Sequence, residues 1–324
     1  MIKLGSTMGV NFSNSFQSTP IDPKKAAAQV AGLPVRCAKT FSHEGDDLVF
    51  MSAARENKLT LAVGCTNDEL EALSIGYTES LTQAIKPIAD VVSLICVGNE
   101  PLGSWQPAKY KNCLAKAVEN VRLALGNAGL DIGVTVPQNF EFMQTSYPPS
   151  QGAIKPGLVE VIKETCNTMR ATKAPFMVNI YPFLTRRDNR RDVPLPYCLF
   201  NAGPEYWVKD GPCTYKNIFD AMIDALYVAL GKIGYGDLEI VVGECGWPTD
   251  GDPDANVKNA QTFNQLLINH CKNGQGPPRY QTRPIHCFVF EMYDENRKDT
   301  GPGPFEHFWG VRDSAGGLKY PLSW

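Results

Sequence analysis

Short apolar runs alternate with longer amphipathic segments along this chain. Eight of the runs have the length and β-branched content of strands that are buried on both faces. They are Thr7–Asn11, Val35–Ala38, Thr60–Gly64, Val92–Val97, Ile132–Val136, Phe176–Ile180, Glu239–Gly243 and Ile285–Phe290. Between them, apolar residues recur at helical spacing, most clearly over Cys113–Leu125. Eight strand–helix units predict an α/β fold, a (β/α)8 or TIM barrel, formed by a single domain spanning residues 1–324.

The spacing is interrupted between Ile180 and Glu239. This gap holds a predicted helix near Thr214–Leu230 and, before it, a long insertion over Pro182–Pro212. The insertion carries the basic run Arg186–Arg191, which we interpret as a solvated face, as charged runs usually are. The alternative is a wall of a substrate groove, because loops at the carboxyl ends of barrel strands commonly carry function.

Two of the predicted strands end in a carboxylate. The segment VVGECGWPTDG places Glu244 at the tip of strand seven, and VGNEP places Glu100 just after strand four. A buried carboxylate is costly unless it is paired or used, and barrel enzymes hold their catalytic residues at these strand ends. Two such carboxylates are what glycoside hydrolysis requires, and membership of structural ion pairs is the alternative. We therefore predict a catalytic pair.

Other strand tips supply candidate binding residues. Asn179 and Tyr181 project in the same direction after strand six, where Tyr181 could hold a catalytic carboxylate or simply pack in the core. Charged residues after strand eight could bind sugar hydroxyls or form surface ion pairs; they are Glu291, Asp294, Glu295 and Lys298. The aromatic residues that could stack on sugar rings or pack in the core are Phe183, Trp247, Tyr293, Phe308 and Trp309.

Composition narrows the function classes. The 324 residues are 43% hydrophobic, enough for a substantial core, and the net charge of −3 gives no reason to expect a nucleic acid or an anionic membrane as partner. The chain contains no run of eighteen apolar residues, so we predict no membrane-spanning helix. We expect no metal site and no cofactor, because C-x-x-C is absent and the four histidines are far apart. The start MIKLGSTMGV lacks the apolar region of a signal peptide, which fits an intracellular protein or a trimmed chain.

The ten cysteines are scattered, and the five on or at the ends of predicted strands read as small buried hydrophobes. Cys198 and Cys213 differ, because they bracket a polar loop of fourteen residues that a disulfide could close. The sequence favours neither a disulfide between Cys198 and Cys213 nor two free thiols.

Several motifs, in order, resemble glycoside hydrolase family 17, which comprises β-1,3-glucanases of plants and related fungal wall glucanosyltransferases. They are VGNE, VVGECGWPTDG, FVFEMYDENRK and HFWGV, and the resemblance runs from GVNF at Gly9 to the closing LKYPLSW. It implies a retaining enzyme with Glu100 as acid/base and Glu244 as nucleophile. It also implies that Asn99 holds the sugar 2-hydroxyl and that Tyr181 lies beside the nucleophile. Residues implied as polar supports or as a stacking aromatic are Glu291, Glu295, Lys298 and Trp309.

Three positions depart from the plant pattern. Where plant members carry Arg-Leu-Tyr after strand two, this chain has Arg36, Cys37 and Ala38, so the tyrosine is absent. Cys245 follows the nucleophile, and we expect an inert thiol that points away from Glu244. Glu291 replaces an alanine and could bind a sugar hydroxyl, as in fungal members.

The resemblance implies a retaining, endo-acting β-1,3-glucan hydrolase that binds glucan as polysaccharide or oligosaccharide and is secreted or held in a cell wall. We expect a monomer, because no unusual exposed apolar segment calls for a partner. We expect the two carboxyl groups to lie about 5–5.5 Å apart, as retention demands. The alternatives are a β-1,3-glucanosyltransferase, a β-1,3-1,4-glucanase and a non-catalytic glucan-binding protein.

Overall fold

The computed structural model describes Leu4 and residues 7–324. All eight predicted strands are confirmed, with bounds that differ by a few residues. They are β1 (Met8–Asn11), β2 (Cys37–Lys39), β3 (Thr60–Cys65), β4 (Val92–Val97), β5 in two segments (Gly133–Thr135 and Gln138–Asn139), β6 (Phe176–Asn179), β7 (Ile240–Cys245) and β8 (His286–Val289). Their side chains are almost all buried, as expected for strands covered on both faces.

The strands form one parallel sheet that closes on itself. Each strand pairs with the next, and β1 pairs with β8. The first segment of β5 pairs with β4 and the second pairs with β6. Because these two segments follow one another in the chain, the sheet closes into the predicted (β/α)8 barrel, and the carboxyl ends of all strands meet at one face.

Ten α-helices occur in the part of the chain that the structure describes. They are α1 (Pro23–Ala31), α2 (Gly45–Glu56), α3 (Leu70–Ser74), α4 (Glu79–Ile85), α5 (Ala108–Asn127), α6 (Val159–Ala171), α7 (Pro182–Asp188), α8 (Leu195–Cys198), α9 (Ile218–Lys232) and α10 (Val257–Lys272). The predicted stripe over Cys113–Leu125 lies within α5, where its apolar positions face the core. None of the described helices is long and apolar enough to cross a membrane.

The predicted start of the helix at Thr214 is wrong. Cys213–Tyr215 instead pairs with Val208–Asp210 in a small antiparallel hairpin. Helix α9 begins at Ile218, because the Asn217 side chain accepts the backbone N–H of Asp220 and caps the first turn.

The basic run in the insertion is not simply a solvated face. Arg186 forms an ion pair with Asp254 at 2.9 Å, with both side chains only 16% exposed. Arg190 pairs with Asp252 and lies 3.3 Å from the same Asp254. The prediction is therefore wrong for these two arginines, whose partners follow β7. The pairs fasten the insertion beside the strand that carries Glu244.

All ten cysteines lie in the described part of the chain, and all are free. The open question over Cys198 and Cys213 is therefore answered in favour of two buried thiols. Burial also raises the pKa of the Cys245 thiol above its usual value, as expected for an inert side chain.

Candidate active site

The backbone of the two signature segments is set by close contacts. After β7, a Cβ on Gly246 would lie 1.9 Å from the carbonyl oxygen of Phe290, so only glycine fits beside Glu244. After β4, Gly98 and Glu100 both have left-handed φ values, of 73° and 53°. Such a conformation is rare and costly for glutamate, and it is found mainly at functional sites.

Glu244 is 5% exposed, and both of its carboxylate oxygens are hydrogen-bonded. The Lys39 ammonium donates to Oε1 at 3.2 Å, and the Tyr181 hydroxyl donates to Oε2 at 2.7 Å. Lys39 is fully buried at the end of β2, with Nζ 3.7 Å from the centre of the Phe41 ring. A buried ammonium needs such partners, and the opposite charges of Lys39 and Glu244 compensate each other.

Glu100 is held differently. Its Oε1 accepts a hydrogen bond of 2.8 Å from the Asn179 side chain. Burial, and then the charge of Glu244, raise its pKa to about 8, although the Asn179 hydrogen bond and two lysines act in the opposite direction. Asn179 is also in register with Glu244 on the neighbouring strand. The two carboxyl groups therefore flank Asn179 at the same face of the barrel. Glu100 is neutral near pH 7, whereas Glu244 is paired with the Lys39 cation.

A second charged cluster follows β8. The Lys298 ammonium lies 3.3 Å from Glu295, 3.6 Å from Glu306 and 4.4 Å from the centre of the Phe290 ring. Burial alone would lower the pKa of Lys298, but Glu295, Glu291 and Glu306 together raise it, so the side chain stays charged. Burial, and then the neighbouring Glu295, raise the pKa of Glu291 well above its usual value. Glu291 is only 1% exposed and is therefore not an exposed ligand for sugar.

Two other predicted polar residues have different surroundings. Asp294 accepts hydrogen bonds from Lys319 at 2.6 Å and from the backbone of Gly310 at 2.8 Å. Of the two interpretations of Asp294, these contacts favour the ion pair over binding of a sugar hydroxyl. The backbone of Asn99 is fixed by hydrogen bonds in both directions with the Asn67 side chain. Its own Oδ1 is buried without a hydrogen-bond partner among the described residues, so this oxygen is available to a hydroxyl group.

The predicted stacking aromatics are mostly buried. Phe183 and Trp247 have no exposed surface, their ring centres are 5.2 Å apart, and the Trp247 indole N–H donates to the carbonyl of Asp254. Trp309 is 2% exposed and packs 5.0 Å from the ring of Tyr181. Trp309 therefore packs against the tyrosine that donates to Glu244. Because Phe183 and Trp247 present no face to a ligand, we exclude both from the sugar contacts.

Tyr293 is likewise buried, and its hydroxyl donates to Gln29. Phe308 is half-buried beside His307, with their ring centres 6.1 Å apart. Tyr293 therefore presents no open face to a ligand.

Sequence reasoning missed Lys39 and Glu306. The one local signal that could have pointed to Lys39 is its position, because a charged residue there ends the buried strand that begins at Cys37. Glu306 lies in a short 3₁₀ segment, Pro304–His307, that shows no strand or helix pattern. Its contacts with Lys298 and with the Trp309 indole come from the folding of that loop against the β8 end.

One group of residues in the described part of the chain has the spacing of metal ligands. His43 Nε2 lies 3.4 Å from Glu69 and 3.9 Å from the largely exposed Glu44. The other oxygen of Glu69 already accepts the backbone N–H and the hydroxyl of Thr66. These contacts make a hydrogen-bonded cluster on the loops after β2 and β3, and no sequence pattern predicted it.

Comparison with known proteins agrees with this geometry. Glucan endo-1,3-beta-glucosidase B of Solanum lycopersicum is 35% identical over 265 residues, which cover 80% of this chain and 72% of that protein. A glucan endo-1,3-beta-glucosidase of Vitis vinifera is 34% identical over 280 residues, covering 84% and 80%.

Among solved structures, CJP38, a beta-1,3-glucanase and allergen of Cryptomeria japonica pollen, matches with a TM-score of 0.89 and 29% identity over 98% of each chain. A beta-1,3-glucanosyltransferase of Rhizomucor miehei matches with a TM-score of 0.59 and 15% identity over 98% and 97%, which shows a shared fold alone. The model of the family described as glycosyl hydrolases family 17 matches residues 46–324. The chain is therefore a glycoside hydrolase that belongs to family 17.

Proposed function

We propose that this protein is a retaining, endo-acting β-1,3-glucan hydrolase. The observation that carries the proposal is the contrast between the two carboxyl groups that flank Asn179. Glu100 has a raised pKa and is protonated near neutral pH, whereas Glu244 is held by a buried ammonium and a hydroxyl. Environments that separate two carboxyl groups in this way assign one as acid and the other as nucleophile. The relatives named as endo-1,3-glucosidases support β-1,3-glucan as substrate.

In the first step, Glu100 donates its proton to the glycosidic oxygen while a Glu244 oxygen attacks the anomeric carbon. The bond from that carbon to the leaving oxygen breaks, and the leaving sugar departs with the proton. A glycosyl ester on Glu244 results. Burial keeps the pKa of the Tyr181 hydroxyl well above its usual range, so this residue remains a hydrogen-bond donor to Glu244 throughout.

In the second step, Glu100 acts as base, removes a proton from water, and the resulting attack on the anomeric carbon releases Glu244. We expect the two carboxyl groups to be about 5–5.5 Å apart in this arrangement. Asn99 is proposed to bind the 2-hydroxyl through its free Oδ1. Trp309, Glu295 and Lys298 are proposed to support the sugar site rather than to react.

Two alternatives use the same chemistry. A glucan chain that replaced water in the second step would make the protein a glucanosyltransferase. A groove shaped for mixed linkages would make it a β-1,3-1,4-glucanase. A solved neighbour with 29% identity and a TM-score of 0.84 comes from work on two plant beta-glucan endohydrolases with distinct substrate specificities, which supports testing both linkages.

The test is to incubate purified protein with laminarin and, separately, with barley mixed-linkage β-glucan, while following reducing ends and product lengths. We expect faster cleavage of laminarin into short oligosaccharides. Products longer than an added oligosaccharide would favour the transferase, and preference for the barley glucan would favour the mixed-linkage enzyme. Binding of laminarin without cleavage of either glucan would overturn the proposal and leave a glucan-binding protein. Glu244→Gln is the matched inactive control.

We further propose that the protein is a monomer that works on glucan outside the cell, in a secretory or cell-wall compartment. The setting rests on the resemblance to the wall-glucan enzymes of the family, and the vacuole is the alternative, since one relative from Nicotiana plumbaginifolia is named a basic vacuolar isoform. Fractionation of the source tissue with an antibody against this chain would separate wall from vacuole.

A further inference from the structure

An exposed tryptophan lies close to the catalytic acid. Trp105 is 61% exposed, on the loop that follows β4 and carries Glu100. The loop is held by two backbone N–H groups: Gly103 donates to the Glu100 carbonyl at 3.1 Å, and Ser104 donates to the Glu141 carboxylate at 3.0 Å. The ring is therefore carried by a segment that is fixed to both β4 and the chain after β5. An indole face in this position is available to a ligand.

The Trp105 ring adjoins a buried amide. A Cβ built on Gly103 would lie 2.8 Å from the indole and 2.9 Å from Nδ2 of Asn139, so ring and amide meet at the same glycine. Asn139 is 5% exposed, and neither its Nδ2 nor its Oδ1 has a hydrogen-bond partner among the described residues. A buried amide left in this state is costly, and such groups normally find a partner in protein, water or ligand.

The same amide is one strand away from the acid. Asn139, at the end of β5, is in register with Asn179 at the end of β6. Asn179 in turn donates to Glu100. Trp105 therefore neighbours Asn139, which in turn lies one strand away from the asparagine that binds Glu100. All three residues lie on the side of the reaction centre that holds the acid.

We propose that Trp105 and Asn139 form a binding subsite for a β-linked glucosyl unit on the leaving-group side of the cleaved bond. The inference rests on the proposed function. The C–H face of a pyranose ring packs on an exposed aromatic face, and its hydroxyl groups can both donate to and accept from an amide. Before cleavage the subsite holds the leaving sugar. After cleavage it holds an acceptor sugar near Glu100, in competition with water, so its occupancy raises the share of transglycosylation.

The test compares two substrates in wild type and in Trp105→Ala. Laminarihexaose places glucosyl units on the leaving-group side, whereas an aryl β-laminaritrioside places only a phenol there. We expect the ratio of kcat/KM for laminarihexaose to that for the aryl substrate to fall about tenfold in Trp105→Ala. We also expect products longer than laminarihexaose to decrease at high substrate concentration. Tyr77→Ala removes an aromatic ring that is 71% exposed on the loop between α3 and α4, and should leave the ratio unchanged.

An unchanged ratio in Trp105→Ala, whether both kcat/KM values stay the same or fall equally, would overturn the proposed subsite. The proposed hydrolase activity would still stand. Asn139→Ala provides a second variant, with the same fall in the ratio expected. If wild type cleaves neither substrate, the proposed function itself fails, and calorimetry with laminarihexaose then decides the subsite. In that case a Kd at least fivefold weaker in Trp105→Ala would support it, and equal Kd values would overturn it.

Discussion

Lys39 is the residue whose replacement tests the electrostatics of the site most sharply. Its ammonium contacts Glu244 at 3.2 Å, and the side chains are 0% and 6% exposed. Lys39→Met keeps an unbranched apolar side chain of similar length but removes the charge. Among the described residues, the ionised form of Glu244 would then keep the Tyr181 hydroxyl as its one close side-chain partner.

The magnitude follows from the distance. Two unit charges 3.2 Å apart attract by about 5 kcal/mol at an effective dielectric constant of about 20. Measured losses on breaking one side of a buried ion pair are about 3–5 kcal/mol, because the remaining charge is left unpaired. Since each 1.36 kcal/mol is a factor of ten in rate, we expect kcat/KM near neutral pH to fall by roughly two to nearly four orders of magnitude.

The assay is kcat/KM for laminarin from pH 4 to pH 9, with circular dichroism to confirm folding. In Lys39→Met the rate should fall even where wild type is most active, because the buried carboxylate has lost its paired charge. Lys109→Met is the matched control, since Lys109 forms an exposed ion pair with Glu71 and should leave the profile unchanged. A folded Lys39→Met protein with the wild-type rate and profile would refute this reasoning.

Three further predictions follow from the same contacts. Because the pKa of Glu100 is raised from 4.5 to about 8, the folded chain binds more protons than the unfolded chain between these values, and wild type loses stability as pH rises through this interval. Glu100→Gln should therefore gain Tm over wild type, by a margin that is smallest near pH 4.5 and largest above pH 8; a margin independent of pH would contradict the assignment. Tyr181→Phe removes one hydrogen bond to the nucleophile and should lower kcat by about tenfold with little change in KM, whereas a change confined to KM would count against a role at the reacting atoms. Trp247→Leu should destabilise the fold by about 2–4 kcal/mol in denaturant unfolding but leave laminarihexaose affinity intact, and a selective loss of affinity would restore the stacking interpretation.

The barrel was predictable because its strands are buried on both faces. A short apolar run such as Val92–Val97, ended by Gly98, is typical of a buried strand and shorter than most helices. Eight such runs separated by helical segments favour a closed barrel over other folds. The positions of Glu100 and Glu244 at one face follow from the same logic, since all parallel strands of a barrel point the same way.

What the sequence could not supply are contacts between residues far apart in the chain. Lys39 and Glu244 are separated by 205 positions, and only closure of the barrel brings them together. The partner of Arg186 lies 68 residues further on, so the basic run resembled a solvated face.

Burial of individual aromatic rings was equally hidden. Phe183 and Trp247 occur at strand ends, as sugar-binding aromatics do, but each is covered by other rings. The exposed ring near the acid is Trp105, in a loop without periodic pattern.

The most direct test of the central claim is to trap the intermediate. Wild-type protein is incubated with a 2-deoxy-2-fluoro-β-laminaribiosyl fluoride, digested, and its peptides are weighed by mass spectrometry. A retaining mechanism with Glu244 as nucleophile predicts one added fluoroglycosyl group, on the peptide that contains Glu244 and on no other. A label on Glu100 or on another carboxylate, or turnover of natural substrate with inversion at the anomeric carbon, would contradict the account.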